Sequence, residues 1–351
     1  MSDVPVLLAV DGNSLVHRSY HALAGTGMRT PAGAPIWAVR GLLSQLVAAA
    51  DRICPTTIVV GFDDPDASIR RVAWPNYKAH RVDKLKTLVS QLALAVGTMR
   101  NLGIHVVMAA GLEADDVLAS TAAYAKRQGA RTVIVTSDRD AFSLIDDDTS
   151  VLRIINGGVD ASPLLTPERL MTLLGIRPDQ YRDFAALRGD PSDNLVGVRG
   201  IGPKTAAKLL QAFGTAQAVF DDIAGGGSTT KNLLGAGVVA RLSDPQARQS
   251  WELNCRLMSF QADVDIGLDE GSNPGRLPLD AQAVRRTYLS HDLPATTPVA
   301  LRALCHIEID EPLPVISDNL NWDPTAEWRA RRTYPPLPPK SSVSEGQLTL
   351  F

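Results

Sequence analysis

Four short runs of apolar, β-branched residues set the strongest limit on how this chain can fold: VPVLLAVD at 4–11, TTIVVGFD at 56–63, IHVVMAAG at 104–111 and RTVIVTSD at 131–138. None alternates apolar with polar, so each reads as a strand buried on both faces. Segments of helical patterning lie between them, at about 37–52, 83–101 and 114–128. Strand–helix alternation of this kind builds a mostly parallel α/β sheet flanked by helices, and VLRII at 151–155 supplies a fifth strand. Three of the four runs end on aspartate: Asp11, Asp63 and Asp138. In such sheets ligands bind in the crevice beyond the carboxyl ends of the strands, so these acids stand where chemistry is expected.

From about 166 the pattern turns helical, through TPERLMTLLGI, PDQYRDFAALRG, KTAAKLLQAFG and a further helix near 245–258. GGGSTT at 225–230 and GAGV at 235–238 read as loops. Beyond about 312 the chain is proline-rich with little periodicity, the signature of an extended tail. The expected division is therefore a sheet core over 1–165, a helical module over 166–300 and a tail over 301–351. At 351 residues, 45% hydrophobic and 21% charged, the chain has ample core-forming residues. No apolar run approaches the roughly 20 residues a bilayer requires, and the first residues do not form a secretory signal, so a cytoplasmic protein with no membrane partner is expected. Cys54, Cys255 and Cys305 form no CxxC pair, which argues against a disulfide framework and a zinc module. His17 and His21 share a helix face without a third ligand nearby. A net charge of −3 does not announce a nucleic-acid partner, so the distribution of charge matters more than its sum.

That distribution is uneven. Acids gather at element ends: Asp11, Asp63, the cluster Glu113, Asp115 and Asp116, then Asp138 and Asp140, then Asp190 and Asp193. Magnesium requires hard oxygen ligands, and a two-metal site takes several carboxylates rather than a His/Cys cage. Without cations so many anions repel one another, and two ions about 4 Å apart can activate water and neutralise the leaving oxygen of a phosphodiester. Singly, each acid also suits a helix cap or a turn; what capping alone does not explain is four separate loops delivering acids to one sheet edge. Asp146, Asp147 and Asp148 read as a solvated surface run.

The bases form two surfaces. IRRVAWPNYKAHRVDKLK at 69–86 carries Arg70, Arg71, Lys78, Arg81, Lys84 and Lys86 against Asp83 alone, with Trp74 and Tyr77 interleaved, as single-stranded nucleic acid would require. Lys78 or Arg81 can also reach the acids and stabilise charge on a transferring phosphate. In VRGIGPKTAAKLL at 198–210, Gly200 and Gly202 permit a tight hairpin at a helix mouth, with Arg199, Lys204 and Lys208 alongside, a grip for phosphate that reads no sequence.

These motifs together resemble the 5′-nuclease domain at the N-terminus of bacterial DNA polymerase I and, more distantly, flap endonucleases. They are DGNSLVHRSYHAL, VVGFD, YKAHR, LEADDVLA, TSDRD and RGDPSDNLVGVRGIGPKTAAKLL, in the family's order across roughly residues 4–300. The resemblance implies a PIN-like, Rossmann-like sheet and two or more Mg²⁺ or Mn²⁺ ions among the nine acids named above. It implies a helical arch over about 70–100 with Lys78 and Arg81 at its base, and a helix-three-turn-helix at Gly200 to Lys208 that grips duplex and binds K⁺. Arg18 and Tyr20 would lie near a strand-separating wedge. The implied activity is 5′-3′ exonuclease and flap endonuclease cleavage of DNA at 5′ flaps, nicks and 5′ ends, in replication and repair.

The chain departs from the family at His17, where an aromatic is common, and in VDKLKTLVS, which lacks the usual prolines. No polymerase or proofreading domain is recognised after about residue 300, so a standalone nuclease, monomeric in the simplest case, is expected. Gln347, Leu348, Thr349, Leu350 and Phe351 resemble the peptide by which bacterial repair proteins dock on the sliding clamp. Two other readings stay open at this point: a noncatalytic junction-binding protein, and a PIN-like ribonuclease.

Overall fold

The computed structural model describes residues 4–30, 33–81, 85–268 and 274–308. Six strands form one sheet in the order β3-β2-β1-β4-β5-β6: β1 (Val6–Asp11), β2 (Thr57–Gly61), β3 (His105–Val107), β4 (Arg131–Thr136), β5 (Thr149–Arg153) and β6 (Leu164–Leu165). All neighbours run parallel except β5 and β6. The chain builds outward from β1 to β2 and β3, then returns to lay β4 on the other side of β1. This reversal puts a topological switch point between β1 and β4, where the carboxyl ends of Asp11 and the β4 loop open a crevice.

Within β1 the pleat divides the side chains. Leu8 and Val10 enter a core with α1 (Gly12–Leu23), α2 (Trp37–Ile53) and α4 (Lys86–Asn101), whereas Leu7 and Ala9 face the opposite layer. Each fully buried aliphatic side chain here contributes about 1.5–3 kcal/mol. Between α2 and α4 lies the short α3 (Ile69–Ala73); α5 (Ala114–Arg127) covers the other face with Val117 and Leu118.

The third apolar run forms a strand only over His105–Val107, because the chain turns at Gly111, with φ 72°, to reach α5. The expected arch over about 70–100 is corrected over its second part. Lys86–Asn101 is a helix of the body, with Leu88, Ala95 and Met99 in the core and Gln91 fully buried, accepting from the Ala38 amide at 2.7 Å.

The helical part comprises α6 (Pro167–Leu174), α7 (Tyr181–Arg188), the two-residue strands β7 (Gly189–Asp190) and β8 (Leu195–Val196), α8 (Pro203–Phe213), α9 (Ala216–Ala224), α10 (Ser228–Leu234), α11 (Ala236–Leu242) and α12 (Pro245–Leu257). Leu187, Leu209, Leu210, Phe220 and Trp251 form its centre, and that core runs on into Ile134 and Phe142 beside the sheet. The glycine-rich stretches are shorter interruptions than their composition suggests. Gly227 and Gly235, at φ 66° and 87°, only mark boundaries, and Asp222 accepts from the Thr230 amide to start α10 at once.

The expected boundary at 300 does not match the packing. α13 (Ala281–Ser290) and α14 (Thr297–Cys305) return to the first core, where Tyr288 donates to the Leu43 carbonyl and Arg302 pairs with Asp51. Their apolar faces match α2, not the helical module. The peptide Gln347 to Phe351 lies outside the described residues.

Candidate metal centre and its cationic border

Asp11 ends β1 and caps α1, accepting from the Ser14 amide at 2.8 Å and from the Thr136 hydroxyl at 2.7 Å. Burial, helped by the charges of Asp63 and Asp138, pushes its pKa up to about 7. Asp63 follows β2 and is held by the Ala114 amide at 3.0 Å and the Asn13 side-chain amide. Asp115 stands in the first turn of α5. One of its oxygens is buried with no hydrogen-bond partner, and burial followed by Asp11 and Asp138 drives its pKa well above the ordinary carboxylate value. These three and Asp138 line one open cavity of about 630 Å³.

Asp138, exposed, receives the Asp140 amide at 3.1 Å. Burial and then the charges of Asp138, Asp190 and Asp193 push Asp140 up to about 8. Asp190 caps the turn before β8 through the Ser192 amide at 2.8 Å, with Arg188 at 3.8 Å. The acids of the sheet and of the helical part thus share one electrostatic field.

Lys78 bridges the remaining pair, with Nζ 3.0 Å from Glu113 and 3.8 Å from Asp193. Its backbone is at φ 55° and its amide donates to the Asp193 carbonyl at 3.0 Å, so a left-handed conformation disfavoured by about 1–2 kcal/mol in a non-glycine residue is held by that tether. Arg81 donates to the other Asp193 oxygen. Burial pushes Asp193 up in pKa while Lys78 and Arg81 oppose it.

Among the described residues no set of three His, Cys, Asp or Glu side chains stands in ready-made ligand geometry. The donor set nonetheless fits hard divalent cations: it is all carboxylate, it includes an unpartnered buried oxygen, and four of its members, Asp11, Asp115, Asp140 and Asp193, are raised in pKa, first by burial and then by neighbouring carboxylates.

Four expected roles need correction. Asp116 is fully buried, and both of its oxygens take the Arg70 guanidinium at 2.7 Å while also accepting from the Gln261 and Glu113 amides. Against burial, which pushes it up, Arg70 holds this carboxyl below its usual range, so Asp116 is a structural anchor and not a metal ligand. Arg70 is in turn withheld from DNA, being 8% exposed and bound also to the Leu257 and Ser259 carbonyls. Tyr77, 3% exposed, is no stacking platform; its hydroxyl bridges Glu113 at 3.0 Å and Asp193 at 3.2 Å. Tyr20, 4% exposed, shares a hydrogen bond with Thr87 under α4, so it does not present a wedge surface. Arg70 and Tyr77 were placed by sequence neighbourhood and Asp116 and Tyr20 by the family resemblance, and burial decided otherwise for all four.

The other basic positions remain outward. Arg18 lines the acid cavity and donates to Asn156 at 3.0 Å. Arg71, Arg199, Lys204 and Lys208 are exposed, and Gly200, at φ 74°, makes the hairpin before α8, where a side chain would collide with Arg241. Asn13, which orients Asp63, and Ser14 and Ser137, which join the β1 and β4 loops, were not picked out from sequence; their adjacency to Asp11 and Asp138 was the available signal.

Residues 6–173 match the 5′-3′ exonuclease N-terminal resolvase-like domain, and residues 176–272 match the 5′-3′ exonuclease C-terminal SAM fold. The chain is 39% identical to DNA polymerase I of Mycobacterium tuberculosis over 219 residues, 62% of this chain and 24% of that protein. It is 38% identical to the thermostable DNA polymerase I of Thermus aquaticus over 260 residues, 74% and 29% respectively. The match therefore spans about a quarter of the length of these relatives. The fold is similar to that of T5 5′-exonuclease with bound zinc, at TM-score 0.57 and 19% identity over 86% of this chain and 94% of the other. It is also similar to that of a T5 flap endonuclease in complex with DNA and metal ions, at 0.56 and 18% over 82% and 99%. With both halves of the architecture matched in order from residue 6 to residue 272, this chain belongs to the 5′-3′ exonuclease family.

Proposed function

We propose that the chain is a metal-dependent, structure-specific 5′-nuclease, hydrolysing DNA at 5′ ends, nicks and flaps near single-strand/duplex junctions to leave a 5′-phosphate. The observation that carries this reading is the group of acids at the sheet's switch point, Asp11 buried and Asp115 and Asp140 half-buried, all raised in pKa, with one Asp115 oxygen left without a partner. A noncatalytic DNA binder gains nothing from concentrating negative charge where phosphates must lie.

Asp11, Asp63, Glu113, Asp115, Asp138, Asp140, Asp190 and Asp193 would hold Mg²⁺ or Mn²⁺. Such ions would supply an activated water and charge neutralisation for the leaving oxygen. Lys78 and Arg81, paired with Glu113 and Asp193, line the cavity and would offer their donors to the scissile phosphate. Arg18 and Arg71 bind the strand passing the cavity. Arg199, Gly200, Gly202, Lys204 and Lys208 grip the duplex by its backbone, and K⁺ binds at the hairpin carbonyls. The protein acts as a monomer in the cytoplasm, in replication and repair.

Gln347, Leu348, Leu350 and Phe351 dock on a sliding clamp. Deleting Gln347 to Phe351 is expected to abolish capture by clamp in a pull-down and to spare cleavage of free flaps; undiminished capture ends that part of the proposal. The central test is incubation with a labelled 5′-flap duplex, with and without divalent cation, beside an RNA flap of the same sequence. Cation-dependent cutting near the DNA junction is expected. Failure to cut DNA, or preference for RNA, refutes the reading.

A further inference from the structure

A second cavity, of about 640 Å³, opens between the segment after β4 and the first turns of α8, and it shares no lining residue with the acid cavity. Its size lies within the range, roughly 300–1,000 Å³, of pockets that enclose small ligands. Its charged lining is of one sign: Arg139, Arg153, Arg188, Lys204 and Lys208, with no aspartate or glutamate. Cations gathered round one space repel, and burial together with Arg139 and Arg18 lowers the proton affinity of Arg153; an anion in their midst relieves both effects.

Two buried polar atoms at this cavity lack any partner, the Tyr181 hydroxyl, on a residue 1% exposed, and Arg153 Nε. Such groups cost stability unless a ligand completes them. α8 begins at Gly202 with no side-chain cap, so the amides of its first turn, which borders the cavity, are open to an acceptor. The open wall is aliphatic, from Leu173, Leu174, Pro203 and Leu234, over a buried floor of the Phe142, Tyr181 and Phe184 rings packed on one another. Arg153 lies 5.8 Å over the Phe142 ring and Arg188 lies 5.5 Å over the Phe184 ring, which orients both guanidiniums. Cations and free donors beside an aliphatic wall fit one ligand chemistry, a phosphate ester whose other end is an apolar-faced, planar body.

We propose that this cavity is a nucleotide subsite, in which Arg139, Arg153 and the Tyr181 hydroxyl bind phosphate and the aliphatic wall of Leu173, Leu174, Pro203 and Leu234 receives the base. The occupant is either a free nucleoside monophosphate or one nucleotide of a bound strand. Calorimetric titration in EDTA tests this independently of metal and of cleavage, so a failure here leaves the nuclease reading intact, and the reverse. Deoxyadenosine 5′-monophosphate is expected to bind and deoxyadenosine is not. Arg153→Gln is expected to weaken binding about tenfold. Tyr181→Phe, which removes only an unpartnered hydroxyl, is expected to weaken it a few-fold while melting no lower than wild type. If the monophosphate does not bind but a short single-stranded oligonucleotide loses affinity on both substitutions, the occupant is a strand nucleotide. If neither ligand responds to either folded variant, the subsite does not exist.

Discussion

Replacing Asp11 by asparagine should make the metal-free protein more stable while destroying the site. The carboxyl is raised from 3.8 to about 7, first by burial and then by Asp63 and Asp138. A tenfold change in proton affinity is worth about 1.4 kcal/mol, so at pH 8, with the group ionised in both folded and unfolded chains, keeping that charge buried costs the folded state about 4 kcal/mol. Asparagine keeps an oxygen for the Ser14 amide but presents an NH₂ to the Thr136 hydroxyl, a loss of about 1 kcal/mol. The net gain for Asp11→Asn is then about 3 kcal/mol, a rise of several degrees in Tm. The sign follows from the raised pKa: below about pH 4 the wild-type carboxyl is protonated in both states and the penalty is absent, and it grows to full size as pH climbs through about 7. Thermal melts in EDTA at pH 4.5 and pH 8 separate the cases, and added Mg²⁺ should stabilise the wild type more than the variant. An Asp11→Asn protein no more stable than wild type at pH 8, or a gain of equal size at both pH values, would falsify the claim that this acid is held charged against its surroundings.

Asp138→Asn and Asp140→Asn are each expected to abolish turnover while a gel shift still shows DNA bound; near-normal turnover in either contradicts the assignment of metal ligands. Arg70→Ala should cost about 3–5 kcal/mol in urea denaturation by stranding the Asp116 charge, whereas Arg70→Met combined with Asp116→Leu recovers most of it; a single-variant loss below about 1 kcal/mol would mean the pair is surface-like. Lys204→Ala and Lys208→Ala should weaken duplex binding equally for all sequences, each lowering the salt slope by about 0.9, and an unchanged slope removes α8 from the interface. Leu304→Ala, in α14, should cost about 2–5 kcal/mol and melt with the body in one transition; a negligible effect would detach the last two helices from the core.

Much of this molecule was legible along the chain. The apolar runs named β1, β2 and β4 at the middle of the sheet and, in shortened form, the edge strand β3, because burial on both faces leaves no room for polar alternation, and acids at the ends of the three middle strands named the crevice, since strand termini in a parallel sheet point to one edge. Periodicity located α2, α4 and α5 within a few residues. What sequence could not decide was which members of a cluster look inward. Asp115 and Asp116 are neighbours, yet 100° of helix rotation sends one to the acid cavity and the other into a buried pair with Arg70, whose partner carbonyls at Leu257 and Ser259 lie far along the chain. The same holds for Tyr77, read as a stacking ring and found clamping two carboxylates, and for α13 and α14, which composition joined to the helical module and packing returned to α2. Local pattern determines which element a residue enters; only the meeting of elements distant in sequence decides what its side chain touches, and a charge is free or spent according to that contact.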